Sequence, residues 1–154
     1  MPLRSPISDS RPAVLLVEDD VLIAELAAGA LEGAGFEVTS VTAAEDGLGL
    51  AVMDVPFDAL VTDINLAGAL DGWELAEALR EMQPGLPVVY ASGGAEDGDP
   101  RAVPEAAFVP KPYNPVALCE AVTRAIGARP VRQRQRHVSE PARERQRPAL
   151  RLIA

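Results

Sequence analysis

The chain has 154 residues, 48% of them hydrophobic, and a formal net charge of −9. That length and apolar content suit one domain with a buried core, and no apolar run approaches the ~20 residues that a bilayer span needs. A single cysteine, Cys119, excludes an internal disulfide and suits a reducing cytoplasm. The charge is unevenly divided. Residues 1–128 hold 6 basic and 21 acidic side chains (6 − 21 = −15), whereas residues 129–154 hold 8 and 2 (8 − 2 = +6). The pattern predicts a flexible, Pro-rich leader over 1–12, an acidic folded domain over 13–128 and an Arg-rich tail over 129–154. The leader lacks the hydrophobic stretch of a signal peptide.

Strand and helix signals alternate from residue 13 onward. Ala13 to Val17 is an apolar, strand-like run that ends on Glu18-Asp19-Asp20. Residues 20–34 place Val21, Leu22, Ala24, Leu26, Ala28 and Leu31 at helical spacing, closed by Gly33 and Gly35. Phe36 to Val41 is β-branched and alternating. Ala43 to Val52 reads as a short helix that Gly47 and Gly49 weaken by roughly 1 kcal/mol each relative to Ala. A third strand, 57–62, delivers Asp63 to its carboxyl end. Asp71-Gly72 opens a helix through Met82, with Trp73, Leu75, Ala76 and Leu79 on one side, and Pro84-Gly85 stops it. Leu86 to Ala91 and Ala106 to Val109 are the fourth and fifth strands. Asn114-Pro115, an N-cap and first-turn pair, starts a last helix to about Ile126.

Five strands alternating with helices predict a three-layer α/β sandwich, a parallel sheet with right-handed crossovers. The crossover between Ser92 and Phe108 contains Gly93, Gly94, Gly98, Pro100 and Pro104, which oppose a regular helix. At most one or two turns around Asp99 to Val103, or an irregular loop, are expected there.

In such a sheet the carboxyl ends of the strands form the ligand-binding edge. Four positions are expected to meet at that edge: Glu18-Asp19, Asp63, Ser92 and Lys111. Clustered carboxylates repel, so three of them require a cation, and oxygen-only ligation suits Mg²⁺. A carboxylate such as Asp63 can attack phosphorus to give an aspartyl phosphate. The charge on the phosphoryl oxygens must then be neutralised, for which Lys111 offers an ammonium and Ser92 a hydroxyl donor. Taken singly, each residue also has a plain structural reading. Asp63 alone could cap a helix, Glu18-Asp19-Asp20 could favour the first helix dipole, Ser92 could serve a turn and Lys111 could be a solvated loop cation. Asp20 is assigned the cap, Trp73 packing or a partial lid, and Cys119 core packing.

Leu15-Leu16-Val17-Glu18-Asp19-Asp20, Thr62-Asp63-Ile64-Asn65, Ala91-Ser92-Gly93 and Val109-Pro110-Lys111-Pro112-Tyr113 together resemble the receiver domain of two-component response regulators, over about residues 12–128. The resemblance implies a flavodoxin-like sheet of order 2-1-3-4-5. It implies Asp63 as phospho-acceptor, Glu18 and Asp19 as the acid pair, and the Asn65 backbone carbonyl as a further Mg²⁺ ligand. Ser92 and Phe108 take the switch positions, and Lys111 is often followed in the family by a cis bond, here to Pro112. The Gly-rich fourth crossover and the loop from Asn65 to Gly72 resemble a subclass in which the family's fourth helix is reduced. Phe108 stands where Tyr is commoner.

The implied function is a stand-alone, cytoplasmic phosphorelay switch, not an enzyme beyond slow self-dephosphorylation. A histidine kinase or phosphotransfer protein would donate to Asp63, and an unknown downstream protein would read the result. Two rival readings stay open: a phosphorylation-independent interaction module, and a nucleic-acid-binding regulator acting through the tail. An Asp-nucleophile phosphatase would need an acid where Asn65 stands. The tail lacks the apolar content to fold alone, so a disordered appendage is expected. An arm on the acidic domain or a nucleic-acid contact are the other readings, the last disfavoured by the tail's lack of aromatics. His137 lies in the tail with no ligand partners.

Overall fold

A computed structural model of the protein describes residues 11–94 and 98–128. Most of the expected leader, the Arg-rich tail with its three readings, and His137 lie outside the described residues. The apolar runs form β1 (Ala13–Val17), β2 (Glu37–Val41), β3 (Ala59–Asp63), β4 (Val88–Ser92) and β5 (Ala107–Pro110). The helically spaced stretches form α1 (Val21–Gly33), α2 (Ala44–Val52), α3 (Gly72–Met82) and α4 (Pro115–Gly127). Every strand pairing is parallel, and the order is β2-β1-β3-β4-β5, the flavodoxin-like arrangement.

Side-chain alternation sorts the core into two layers. Leu15, Val17, Leu60, Val88 and Tyr90 pack with Leu75 and Leu79 of α3. Val14, Leu16, Ala59, Val61 and Val89 pack with Leu31 of α1 and Leu118 and Val122 of α4. β3 and β4 are therefore buried on both faces, which is why their sequences are mainly apolar and do not alternate with exposed polar residues. Each fully buried Leu or Val contributes about 1.5–3 kcal/mol. β2, at one edge, carries mostly exposed residues. Gly47, which costs helix propensity in α2, has a packing reason. A Cβ there would stand 3.3 Å from Val17 Cγ2 and 3.4 Å from Leu15 Cδ2, so glycine lets α2 lie close on β1.

The helix starts follow their caps. Asp20 Oδ1 accepts from the N–H groups of Leu22 and Ile23, and Asn114 Oδ1 from those of Val116 and Ala117. Asp71 and Glu74 form a reciprocal capping box. β3 and β4 each begin two residues later than the apolar runs suggest. Asp58 is occupied in closing β3 against β1, its carboxylate accepting from Ala13 N at 2.7 Å and its N–H donating to Ala13 O at 2.7 Å. Pro87 has no N–H to enter the ladder, and only its carbonyl serves, accepting from Leu60 N at 2.9 Å.

Between β4 and β5 the described residues form turns and no helix. The segment is held by side chains instead. Tyr90 Oη accepts from Val103 N at 3.1 Å in the buried interior. Arg101, paired with Asp99 at 2.8 Å, lies 4.7 Å over the Trp73 ring. Trp73 is only 6% exposed and packs on Tyr90 (4.7 Å between ring centres), which packs on Phe108 (5.2 Å). Trp73 is thus a core residue with a cation on its rim. Cys119 Sγ donates to Ala30 O at 3.4 Å across the α1–α4 contact, and burial pushes its thiol pKa up, in keeping with a packing role. Among the described residues no helix is long and apolar enough to cross a membrane.

Tyr90→Phe keeps the ring packing but leaves the Val103 N–H without its acceptor. It should lower the unfolding free energy by about 1–2 kcal/mol in urea titrations and speed amide exchange at Val103.

Candidate functional site

The carboxyl edge of β1, β3, β4 and β5 carries the polar residues that the core excludes. Glu18 follows β1 and Asp63 ends β3; they are 0% and 6% exposed. One carboxylate oxygen each from Glu18, Asp19 and Asp63 lies within 4.8 Å of the others, with Asp19 the exposed member. Two unit charges at that separation repel by roughly 3 kcal/mol at an effective dielectric near 20. The arrangement therefore needs compensation. Lys111 supplies it: Nζ donates to Glu18 Oε2 at 2.8 Å and reaches Asp63 Oδ2 at 3.1 Å.

Lys111 is brought there by β5. Its N–H donates to Ser92 O at 2.9 Å, extending the β4–β5 ladder one step, and the Lys111–Pro112 peptide is cis. Ser92, 7% exposed, ends β4, one residue beyond Ala91, the register partner of Asp63. Its Oγ accepts from Gly94 N at 3.0 Å. Asn65 N donates to Asp63 Oδ1 at 3.3 Å, which ties the first turn of the β3–α3 loop to the carboxylate. Phe108, half-buried, stands two residues back along β5 from Pro110 and pairs with Tyr90, two residues before Ser92.

Burial pushes the Glu18 carboxyl above the usual glutamate range, and the Asp63 charge adds to that. The hydrogen bonds from Lys111 and from Asp20 N (3.2 Å) oppose it. Burial also opposes the Lys111 ammonium, but hydrogen bonds to Glu18 and Asp63 outweigh it and hold its pKa above the ordinary lysine value. Tyr113 was not singled out by the sequence beyond its place after Lys111-Pro112. Its hydroxyl donates to Glu18 Oε2 at 3.2 Å, and burial beside the Glu18 charge raises its pKa. Sequence spacing gives no signal for a contact between residues 95 apart.

A carboxylate trio with one lysine can do two things: hold a hard cation through oxygen, and present one carboxylate as a nucleophile beside a positive charge. Gly72 keeps the end of the strand that carries Asp63 in place. Its N–H donates to Ile64 O at 2.8 Å, and a Cβ there would overlap the Asp63 carbonyl oxygen.

Comparisons with known proteins bear on this site. A family model described as the response regulator receiver domain matches residues 14–123. A response regulator receiver protein of Anaeromyxobacter sp. (strain Fw109-5) is 34% identical over 108 residues, covering 70% of this chain and 43% of that protein. The transcriptional regulatory protein PrrA of Mycobacterium tuberculosis is 37% identical over 114 residues, covering 73% of this chain and 48% of PrrA. The chain thus spans less than half the length of these curated relatives. Among solved structures, a response regulator receiver protein from Sinorhizobium medicae WSM419 aligns with a TM-score of 0.75 at 30% identity, covering 79% of this chain and 98% of that one.

Two outcomes follow from the geometry. Gly72→Ala should cost about 1–3 kcal/mol of stability, because the helix must retreat from the Asp63 backbone. Lys111→Met should cost about 2 kcal/mol at pH 8, since two carboxylates lose their charged donor. A lysine whose folded pKa is raised contributes stability that is full below its unfolded value of about 10.4 and is lost as pH rises through the folded one. The gap between wild type and Lys111→Met in urea unfolding should therefore be constant from pH 8 to 10 and narrow above that.

Proposed function

Because this chain belongs to the response regulator receiver domain family, we propose that it is a phosphorylation switch in which Asp63 accepts a phosphoryl group from phosphohistidine. Receiver domains are signalling modules that work with histidine kinases or phosphotransfer proteins, and such a protein is the donor proposed here. The observation that carries the reading is the Lys111 ammonium set between Glu18 and Asp63 at a strand edge where three carboxylates converge.

The donor set fits a divalent metal: it is oxygen-only, compact and over-supplied with negative charge. Glu18, Asp19 and Asp63, with the Asn65 backbone carbonyl, would hold Mg²⁺. Bound there, the ion supplies positive charge against the phosphoryl oxygens. The chain's own groups do the rest. A carboxylate oxygen of Asp63 attacks phosphorus, the P–N bond to the donor imidazole breaks, and the released imidazole nitrogen takes up a proton. Asn65 N–H orients the carboxylate by holding Oδ1. Lys111 turns from its carboxylate partners toward the transferred group, and Ser92 Oγ donates to a phosphoryl oxygen.

Phosphorylation then biases a two-state equilibrium. Ser92 and Phe108 are the proposed switch residues, and their shared neighbour Tyr90 links them along β4 and across to β5. A shift of Ser92 toward the phosphate pulls on the strand that carries Tyr90 and hence on its bond to Val103. The surface formed by β5 and the preceding crossover changes and is read by a downstream protein.

Incubation with a small phosphodonor and Mg²⁺ should label the wild-type chain at Asp63, as located by mass spectrometry. Asp63→Asn or chelation of Mg²⁺ should abolish the label. Lys111→Met should retain Mg²⁺ binding while losing the conformational response at the amides of residues 88–94 and 98–112. Equal labelling of wild type and Asp63→Asn would remove this reading.

A further inference from the structure

The loop joining β3 to α3 begins with Asn65 and is closed at its base. Gly72 N–H donates to Ile64 O, and the capping box of Asp71 and Glu74 fixes the entry into α3. Its tip is tied down by a residue from a different element. Glu45, in the first turn of α2, accepts the Leu70 N–H on Oε1 at 3.0 Å. Gly68, at φ +125°, lets the carboxylate approach, since a Cβ there would stand 3.3 Å from both oxygens. The same carboxylate also serves α2. Ala43 precedes that helix with no side-chain cap, and backbone N–H groups around the Glu45 carboxylate hold its pKa below the ordinary glutamate value. One side chain thus places a negative charge at a helix start and accepts an N–H of the loop.

We propose that Glu45 is a positioning residue for the Asp63 site: it clamps the tip of the β3–α3 loop to α2 and thereby fixes the Asn65 peptide against Asp63. The Asn65 peptide faces the site twice, through the N–H on Asp63 Oδ1 and, on the functional reading above, through its carbonyl toward the metal. The effect on metal affinity rests on that reading; the clamp itself does not. Between Ile64 and Gly72 the loop contains Gly68, two alanines and two leucines and has no regular structure of its own. Its conformation is set at its two ends, where Leu66 and Leu70 pack against the core, and at Glu45, which holds the Leu70 N–H. Released from Glu45, the Asn65 carbonyl would sample a wider range of positions. Mg²⁺, which demands near-octahedral geometry, is sensitive to such loosening.

The competing role for an acid in a first helical turn is to favour the helix dipole. Chain length and charge separate the two. Glu45→Asp keeps the charge at the helix start but is one methylene too short to reach Leu70. Glu45→Gln drops the charge and keeps an oxygen within reach.

The test combines amide exchange by NMR at Asn65 and Leu70 in the metal-free protein with calorimetric titration of Mg²⁺. For Glu45→Ala and Glu45→Asp, both amides should exchange about tenfold faster, the equivalent of one lost hydrogen bond. Their Mg²⁺ affinity should fall about tenfold, as when a support behind a ligand is removed. Glu45→Gln should stay within about twofold of wild type on both measures, a rescue that loss of the dipole partner would not give. The proposal is overturned if Glu45→Ala leaves Asn65 and Leu70 exchange unchanged. It is also overturned if Glu45→Asp matches wild type while Glu45→Gln fails. Should Glu45→Ala not fold, the Asp and Gln variants decide alone. A wild-type chain that takes up no Mg²⁺ ends the functional reading and leaves the exchange measurements to judge the clamp.

Discussion

The Lys111 ammonium between Glu18 and Asp63 is the interaction on which the rest of the molecule depends. Three carboxylates gathered at one sheet edge oppose folding, and Glu18 is buried deeply enough that its ionised form is disfavoured. A protein selected for stability alone would place apolar residues there. The fold accepts the cost because parallel strands end together, and their ends are the one place where side chains from distant parts of the chain converge on solvent. Lys111, Tyr113 and the Asp20 N–H all converge on Glu18, which shows how much local support one buried carboxylate requires.

The site is built at two levels of rigidity. Asp63 and Ser92 sit on strands buried on both faces, so their backbones are fixed by the core. Asn65 and Lys111 stand just beyond strand ends and depend on close backbone approach. Gly72 against Asp63 serves one of them, and the Lys111 N–H on Ser92 O serves the other. Behind them the Trp73–Tyr90–Phe108 stack joins α3, β4 and β5. Arg101 and the Val103 N–H attach the crossover to that stack, so the segment lacking a described helix is anchored to the core by two specific contacts.

Much of this was legible in the sequence, for identifiable reasons. Apolar runs ending in Glu18 or Asp63 announced buried parallel strands whose last residues reach a ligand edge, and Asn114-Pro115 and Asp71 announced helix starts through local capping chemistry. Gly and Pro density announced the turns before β5. Resemblance to the receiver family supplied the strand order, which no local pattern encodes. What stayed hidden was long-range. Nothing near Tyr113 says that its hydroxyl meets Glu18, and nothing near Glu45 says that it holds Leu70, because both contacts are created by the packing of elements. Gly47 reads as a weak helix residue from propensity alone, and Gly72 only as part of a helix start; the close approach of β1 and of the Asp63 backbone explains them.

The two core layers differ in one further respect. Phe57, Trp73, Tyr90 and Phe108 belong to the layer with α2 and α3, whereas the layer with α1 and α4 has Phe36 and Tyr113 and no indole. The chain has a single tryptophan, and it lies in the first of these layers. Indole emission and most of the near-ultraviolet dichroism will therefore report on one side of the sheet. An apparently simple optical melting curve would say little about the opposite side. Whether the two halves come apart together is a matter for probes placed on α1 or α4.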